Sequence, residues 1–252
     1  MLGTLTPALS RKLARERNPT APTDGLASNQ SLEMTTMTPT PFPHLTGPIG
    51  FYPVVHDAAW VQRLLDWGVR TVQLRFKAVG HSPAEIEREV NAAVQAGQKV
   101  AGAQVFINDH WQLALAAGAY GVHLGQEDLD TADIAALRRA GMRLGLSTHT
   151  PSELARAQAV QPSYLAIGPV YPTTLKVMPY APVGLDQLRA WAALAAPCPV
   201  VAIGGISLEG LPGVLACLPG SHDGAAVVSA ITLAADPQRA ALQGLALAAK
   251  RS

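Results

Sequence analysis

From Gly50 onward, short apolar runs alternate with longer stretches in which apolar residues recur every three or four positions. The first pattern reads as buried strand and the second as amphipathic helix. The stretch Gln104 to Asp128 shows the unit most plainly. Q-V-F-I-N-D is apolar until Asn108 and Asp109, W-Q-L-A-L-A-A has helical spacing, and Y-G-V-H-L-G-Q-E-D is apolar until Gly125. Two buried strands flanking one helix form a βαβ unit, whose strands run parallel. Both strands then finish on one edge of the sheet, which brings Asp109 and Asp128 together.

The alternation predicts further strands at 51–55, 70–75, 143–146, 164–167, 200–203 and 224–228. Between them it predicts helices at 58–67, 84–98, 111–117, 134–140, 152–160, 185–195 and 208–217, with a final helix ending the chain. Ser82-Pro83 supplies a cap and a first-turn proline for the second helix. Eight strand–helix repeats in roughly 200 residues fit one α/β chain closed as a TIM (β/α)8 barrel, and closure leaves no exposed edge. An open doubly wound sheet would place a G-x-G-x-x-G turn after its first strand. The segment from Phe51 to Asp57 contains no glycine.

Residues 1–46 lack this periodicity and are rich in Thr, Pro, Ser and Asn. Such a composition buries too little apolar surface to order itself. It predicts a disordered lead-in without a catalytic role, ahead of a barrel domain over 47–252. Met34 and Met37 offer alternative starts. The Arg11, Lys12, Arg15 and Arg17 cluster lacks the apolar run of a secretory signal.

A formal net charge of +1 gives no basic field for nucleic acid or an anionic membrane, so any anion site must be local. No apolar run is long enough to span a bilayer. Cys198 and Cys217 sit in apolar surroundings without metal-ligand spacing, which suits a reducing, cytoplasmic setting. The sequence leaves homo-oligomer formation open.

In such a barrel the chemistry gathers where strands end. Asp109 and Asp128 at equivalent ends, with Asn108 beside them, suit a hard cation such as Mg2+; the competing role is helix capping. Gln73, Arg75 and Lys77 alternate onto one side of the second strand's end, where a guanidinium beside an ammonium suits phosphate oxygens. Ser147 follows the fifth strand, as a site hydroxyl or a cap. After the sixth strand comes a long loop with four prolines and Lys176, placed to close on an anion. Gly204-Gly205 and Val228-Ser229 let backbone N–H groups face a phosphate after strands seven and eight. Two anion sites at one mouth suggest the joining of two phosphorylated fragments, with pyrophosphate leaving.

The motifs V-Q-L-R-F-K, F-I-N-D, G-V-H-L-G-Q-E-D, G-L-S-T-H, G-P-V-Y-P-T-x-x-K, V-A-I-G-G-I and A-V-V-S-A-I occur in this order. Together they resemble the thiamine-phosphate synthase family, closest to its enteric form, from Gly50 to about Ala248. The resemblance implies a TIM barrel transferase that joins two small-molecule substrates. These are 4-amino-2-methyl-5-hydroxymethylpyrimidine pyrophosphate and 4-methyl-5-(2-phosphoethyl)thiazole; the products are thiamine phosphate and pyrophosphate. It implies Mg2+ on Asp109 and Asp128, and pyrophosphate on Arg75, Lys77, Asn108 and Lys176. It places Gln73 and Ser147 at the pyrimidine, with Thr173, Gly205, Val228 and Ser229 at the thiazole phosphate. Arg75, Ser147 and Lys176 are the implied catalytic groups, in a dissociative, Mg2+-assisted substitution. His123 lies near the pyrimidine in the family, against its plainer reading as a core histidine. The chain departs from the common L-R-E-K at Phe76, as the enteric form does. It has Leu175 where many members have Thr, a place that Thr174 can fill. The alternatives are a thiazole tautomerase-like isomerase, which needs no carboxylate pair, and a non-catalytic phosphate-binding regulatory barrel.

Overall fold

The computed structural model describes residues 40–173 and 180–250. Eight parallel strands close into a barrel in sequence order, from β1 (Gly50–Val55) through β2 (Thr71–Leu74), β3 (Gln104–Asn108), β4 (Gly121–Leu124), β5 (Arg143–Thr148), β6 (Tyr164–Ile167) and β7 (Val200–Ile203) to β8 (Gly224–Val227). β1 closes on β8 with Gly50 opposite Gly224. The helices α1 (Ala58–Asp66), α2 (Pro83–Gln98), α3 (Trp111–Ala116), α4 (Ile134–Arg139), α5 (Pro151–Ala159), α6 (Gly184–Ala195) and α7 (Leu211–Leu215) connect them. The expected final helix is two, α8 (Ser229–Thr232) and α9 (Pro237–Ala249). Asp236 accepts from the Arg239 amide and Pro237 follows it, so α9 has its own start. The second helix has the expected cap at Ser82, and Glu85 answers it to close a capping box.

Strand residues divide into two cores. One set, including Val72, Leu74, Val105, Ile107, Val122 and Leu144, faces the helices. The alternate set, including Tyr52, Val54, Phe106, Tyr164, Ala166 and Ala226, fills the barrel interior. Two large rings enter because glycines stand opposite. A Cβ on Gly121 would lie 2.6 Å from the Phe106 ring, and one on Gly145 2.1 Å from the Tyr164 ring. Among the described residues no helix is long and apolar enough to cross a membrane.

The expected lead-in ends too late. Residues 1–39 lie outside the described residues, but 40–46 pack against the N-terminal ends of the strands. Phe42 is 2% exposed, its amide donates to Gln161 at 3.0 Å, and the Arg138 guanidinium lies 4.7 Å above its ring. Ser163 Oγ donates to Pro43 O at 2.7 Å, and Arg143 Nε to His44 O at 3.2 Å. Thr46 N donates to Tyr120 Oη, which donates in turn to Gln104. A composition window averages Phe42 and Leu45 with their polar neighbours; two anchors are enough to seat a short segment.

Candidate active site

The C-terminal strand ends form a polar mouth. Asn108 lies opposite His123, and the Asp109 amide donates to His123 O at 3.1 Å, so β3 runs on beside β4. Asp109 itself is left-handed, with φ 62. Few residues other than Gly, Asn and Asp accept that conformation readily. The residue at the start of α3 is His110, without a side-chain cap, so Asp109 does not have the capping role. His110 Nε2 donates to Phe76 O at 2.8 Å and holds the segment after β2 against this turn.

Asp128 opens a single 3-10 turn, Asp128–Asp130, and its Oδ2 accepts the Gly125 amide at 2.9 Å. Its carboxylate acts on Asp109. The Asp109 pKa is raised, first by loss of hydration and then by Asp128; Arg75, His110 and a hydrogen bond from Asn108 oppose the rise. Asp109 is exposed at the surface of the mouth, and the repulsion from Asp128 reaches it there. Two repelling carboxylates with an amide and a guanidinium nearby form an acceptor pair suited to a hard cation. Among the described residues no three His, Cys, Asp or Glu cluster as a closed metal cage. Such a pair fits an ion like Mg2+ that keeps waters and shares phosphate oxygens.

Below the mouth runs a chain of polar side chains. Gln73 Nε2 donates to Tyr52 Oη at 3.1 Å, and Tyr52 Oη lies 3.0 Å from Tyr164 Oη. Tyr164 Oη lies 2.7 Å from His123 Nδ1, and His123 Nε2 lies 2.8 Å from Ser147 Oγ. Both His123 nitrogens are therefore occupied. Burial, then Arg75 and His149, pushes the imidazole pKa down to about 3, so the ring is neutral at physiological pH. Burial raises both tyrosines above their ordinary range. Ser147 does not cap α5, because Thr150 does, and its carbonyl accepts from Gln126 Nε2 at 2.7 Å.

At the other side of the mouth Gly204 and Gly205 have φ 100 and 67. A Cβ on Gly205 would lie 2.6 Å from Pro172 O, so the backbone approaches the β6 loop as only glycine allows. Ile203 opposite Ala226 sets this turn beside Val228 and Ser229; the Ile231 and Thr232 amides donate to Val228 O, which leaves those of Ser229 and Ala230 at the head of α8. Thr173 is half-buried at the start of the β6 loop.

The structure thus gathers Gln73, Arg75, Asn108, Asp109, Asp128, His123 and Ser147. Lys77 is exposed beyond the end of β2 at Leu74, and it is not among the charges that shift Asp109. Thr174 and Lys176 lie outside the described residues. Tyr52 and Tyr164 were not singled out from the sequence, because within an apolar run a tyrosine reads as one more strand residue. Nor was the Glu153 cluster, where Tyr180 Oη donates to Oε1 at 3.0 Å and the His149 ring stacks on Tyr180 at 5.0 Å. A cavity of about 740 Å3 lies at the opposite end of the barrel, between the start of β1 and α9, away from these groups.

Known proteins resemble this chain over most of its length. The model of the family described as thiamine monophosphate synthase matches residues 51–231. A thiamine-phosphate synthase of Serratia proteamaculans is 53% identical over 82% of this chain and 95% of its own. One of Klebsiella pneumoniae is 54% identical, again over 82% and 95%. Among solved structures, the thiamine phosphate pyrophosphorylase of Pyrococcus furiosus superposes with a TM-score of 0.67 at 28% identity, covering 81% of this chain and 96% of that one.

Proposed function

The chain belongs to the thiamine monophosphate synthase family, and from that premise we propose that it joins a pyrimidine pyrophosphate to a thiazole phosphate at the polar mouth. The enzyme is a transferase: the pyrimidinylmethyl group moves to the thiazole nitrogen and pyrophosphate leaves. The single observation that carries the reading is the repelling pair Asp109 and Asp128 beside Arg75 and Asn108. Two carboxylates there would repel a pyrophosphate, unless a cation stands between.

Mg2+ fits that pair, and when bound it supplies charge neutralisation for the leaving pyrophosphate. Asp109 and Asp128 would hold it. Arg75 and Asn108 meet pyrophosphate oxygens as negative charge builds there, and Lys77 and Lys176 extend this set. Gln73 and Ser147 orient the pyrimidine, whose ring shares the positive charge as the C–O bond breaks. Thr173, Gly205, Val228 and Ser229 seat the thiazole phosphate, with Thr174 beside Thr173. The residues thus act by positioning and by preorganised charge, with no covalent enzyme intermediate. Both cysteines are free, and burial pushes the Cys198 thiol up to about 12, which suits a reducing cytoplasm.

The test is product formation from the two phosphorylated fragments, with Mg2+ and with EDTA. Thiamine phosphate with Mg2+ and none with EDTA is expected. Equal rates in both would remove the metal. No product in either, together with tight thiazole phosphate binding, would move the chain to the one-phosphate isomerase.

A further inference from the structure

The interior chain from Gln73 to Ser147 has a direction. Tyr52 Oη has two polar neighbours, the Gln73 Nε2 amide at 3.1 Å and Tyr164 Oη at 3.0 Å. The amide nitrogen can only donate. The Tyr52 proton therefore has one acceptor, Tyr164 Oη. Tyr164 Oη, which accepts from Tyr52 and also meets the Gln73 side chain, has His123 Nδ1 at 2.7 Å as the acceptor for its own proton. With Nδ1 accepting, the imidazole proton is on Nε2, which donates to Ser147 Oγ at 2.8 Å. The Ser147 proton is left over at the mouth.

We propose that Gln73, Tyr52 and Tyr164 are positioning residues that orient one line of hydrogen bonds, fix His123 in its Nε2–H form and make Ser147 a hydrogen-bond donor toward the substrate. The reverse line would also satisfy each group, but only with the Gln73 amide turned so that its oxygen, in place of Nε2, faces Tyr52. It would put the proton on Nδ1 and turn the Ser147 hydroxyl back onto His123. One side-chain amide at β2 thus chooses which face Ser147 offers at the end of β5. The depressed His123 pKa agrees, since a neutral ring has one donor and one acceptor nitrogen. The assignment of Ser147 to the substrate rests on the function proposed above; the tautomer does not.

The experiment is nitrogen NMR of histidine-labelled protein at alkaline pH. In the native protein His123 is expected to carry its proton on Nε2. In Gln73→Glu the donor is gone and only acceptors face Tyr52, which moves the proton to Nδ1. In Tyr164→Phe, which keeps the ring and the packing, the single Nε2–H form gives way to a mixture. Either variant lowers kcat and leaves KM for the thiazole phosphate unmoved. A native Nδ1–H form would overturn the proposal, and so would an unchanged tautomer in both variants. The proposed function fails separately, through absence of product while the tautomers behave as stated.

Discussion

Asp109 combines a left-handed backbone with a carboxylate pressed by another. Both features bear on what replaces it. Asparagine keeps the φ 62 conformation at little cost, while alanine in that region costs about 1–2 kcal/mol. Removing one of two repelling charges relieves the metal-free protein. Asp109→Asn is therefore expected to melt at or above the native Tm in EDTA, by calorimetry, and to lose at least roughly tenfold in rate with Mg2+. A lowered Tm in EDTA would deny the repulsion. His123 gives a second prediction. Its folded pKa of about 3 lies below the value near 6.5 of the unfolded chain. The unfolded chain then binds the extra proton as pH falls, so this stability is complete above about 6.5 and is lost toward 3. The slope is about 1.4 kcal/mol per pH unit in that window. His123→Asn should show a shallower fall in urea-derived stability between pH 6 and 4, and equal slopes would place the imidazole in water. Asp109, Asp128 and Ser147 were legible as polar residues ending apolar runs. The tyrosines were not, because alternation says which face a residue takes and nothing of which hydroxyl it meets across the barrel.

The strands are thin, and what fits between them is set by two glycines. The Gly145→Ala methyl would meet Tyr164 ring atoms at 2.1 to 2.4 Å, with no open direction. Overpacking of this kind costs typically about 1–3 kcal/mol, and here it also displaces Tyr164 from His123. Gly145→Ala is expected to lose that much by urea melts and to lose activity. Gly47→Ala, with nothing within 4 Å and no positive φ, serves as the near-neutral control. If the two behaved alike, the ring could move aside. The order and type of the elements were readable from periodicity, since every strand is a short apolar run. Their ends were less so. β2 stops at Leu74 rather than reaching Arg75, which leaves Lys77 outside the strand's alternation. At the chain's end the Asp236-Pro237 pair is a helix start that a run of alanines and leucines masks.

At the scale of the molecule, the barrel has a working mouth and a closed floor. Phe42 and Leu45 are both buried in the segment that closes it. Full burial of such side chains stabilises by about 1.5–3 kcal/mol each. A chain beginning at Thr40 is expected to keep both activity and its urea midpoint. A chain beginning at Gly47 should lose several kcal/mol, read from the same melts, and equal midpoints would show that the floor needs no cover. The floor strap also sets a timetable. It leaves the ribosome early, yet the serine that holds Pro43 follows 120 residues later. At 5–20 residues per second that is roughly 6–24 s of waiting. β1 waits longer still, because its partner β8 comes near the chain's end. The nascent polypeptide therefore carries one open edge of β1 and, for a large part of its synthesis, two uncovered apolar anchors. Its hazard is greatest before release, in the interval when a chaperone would find it.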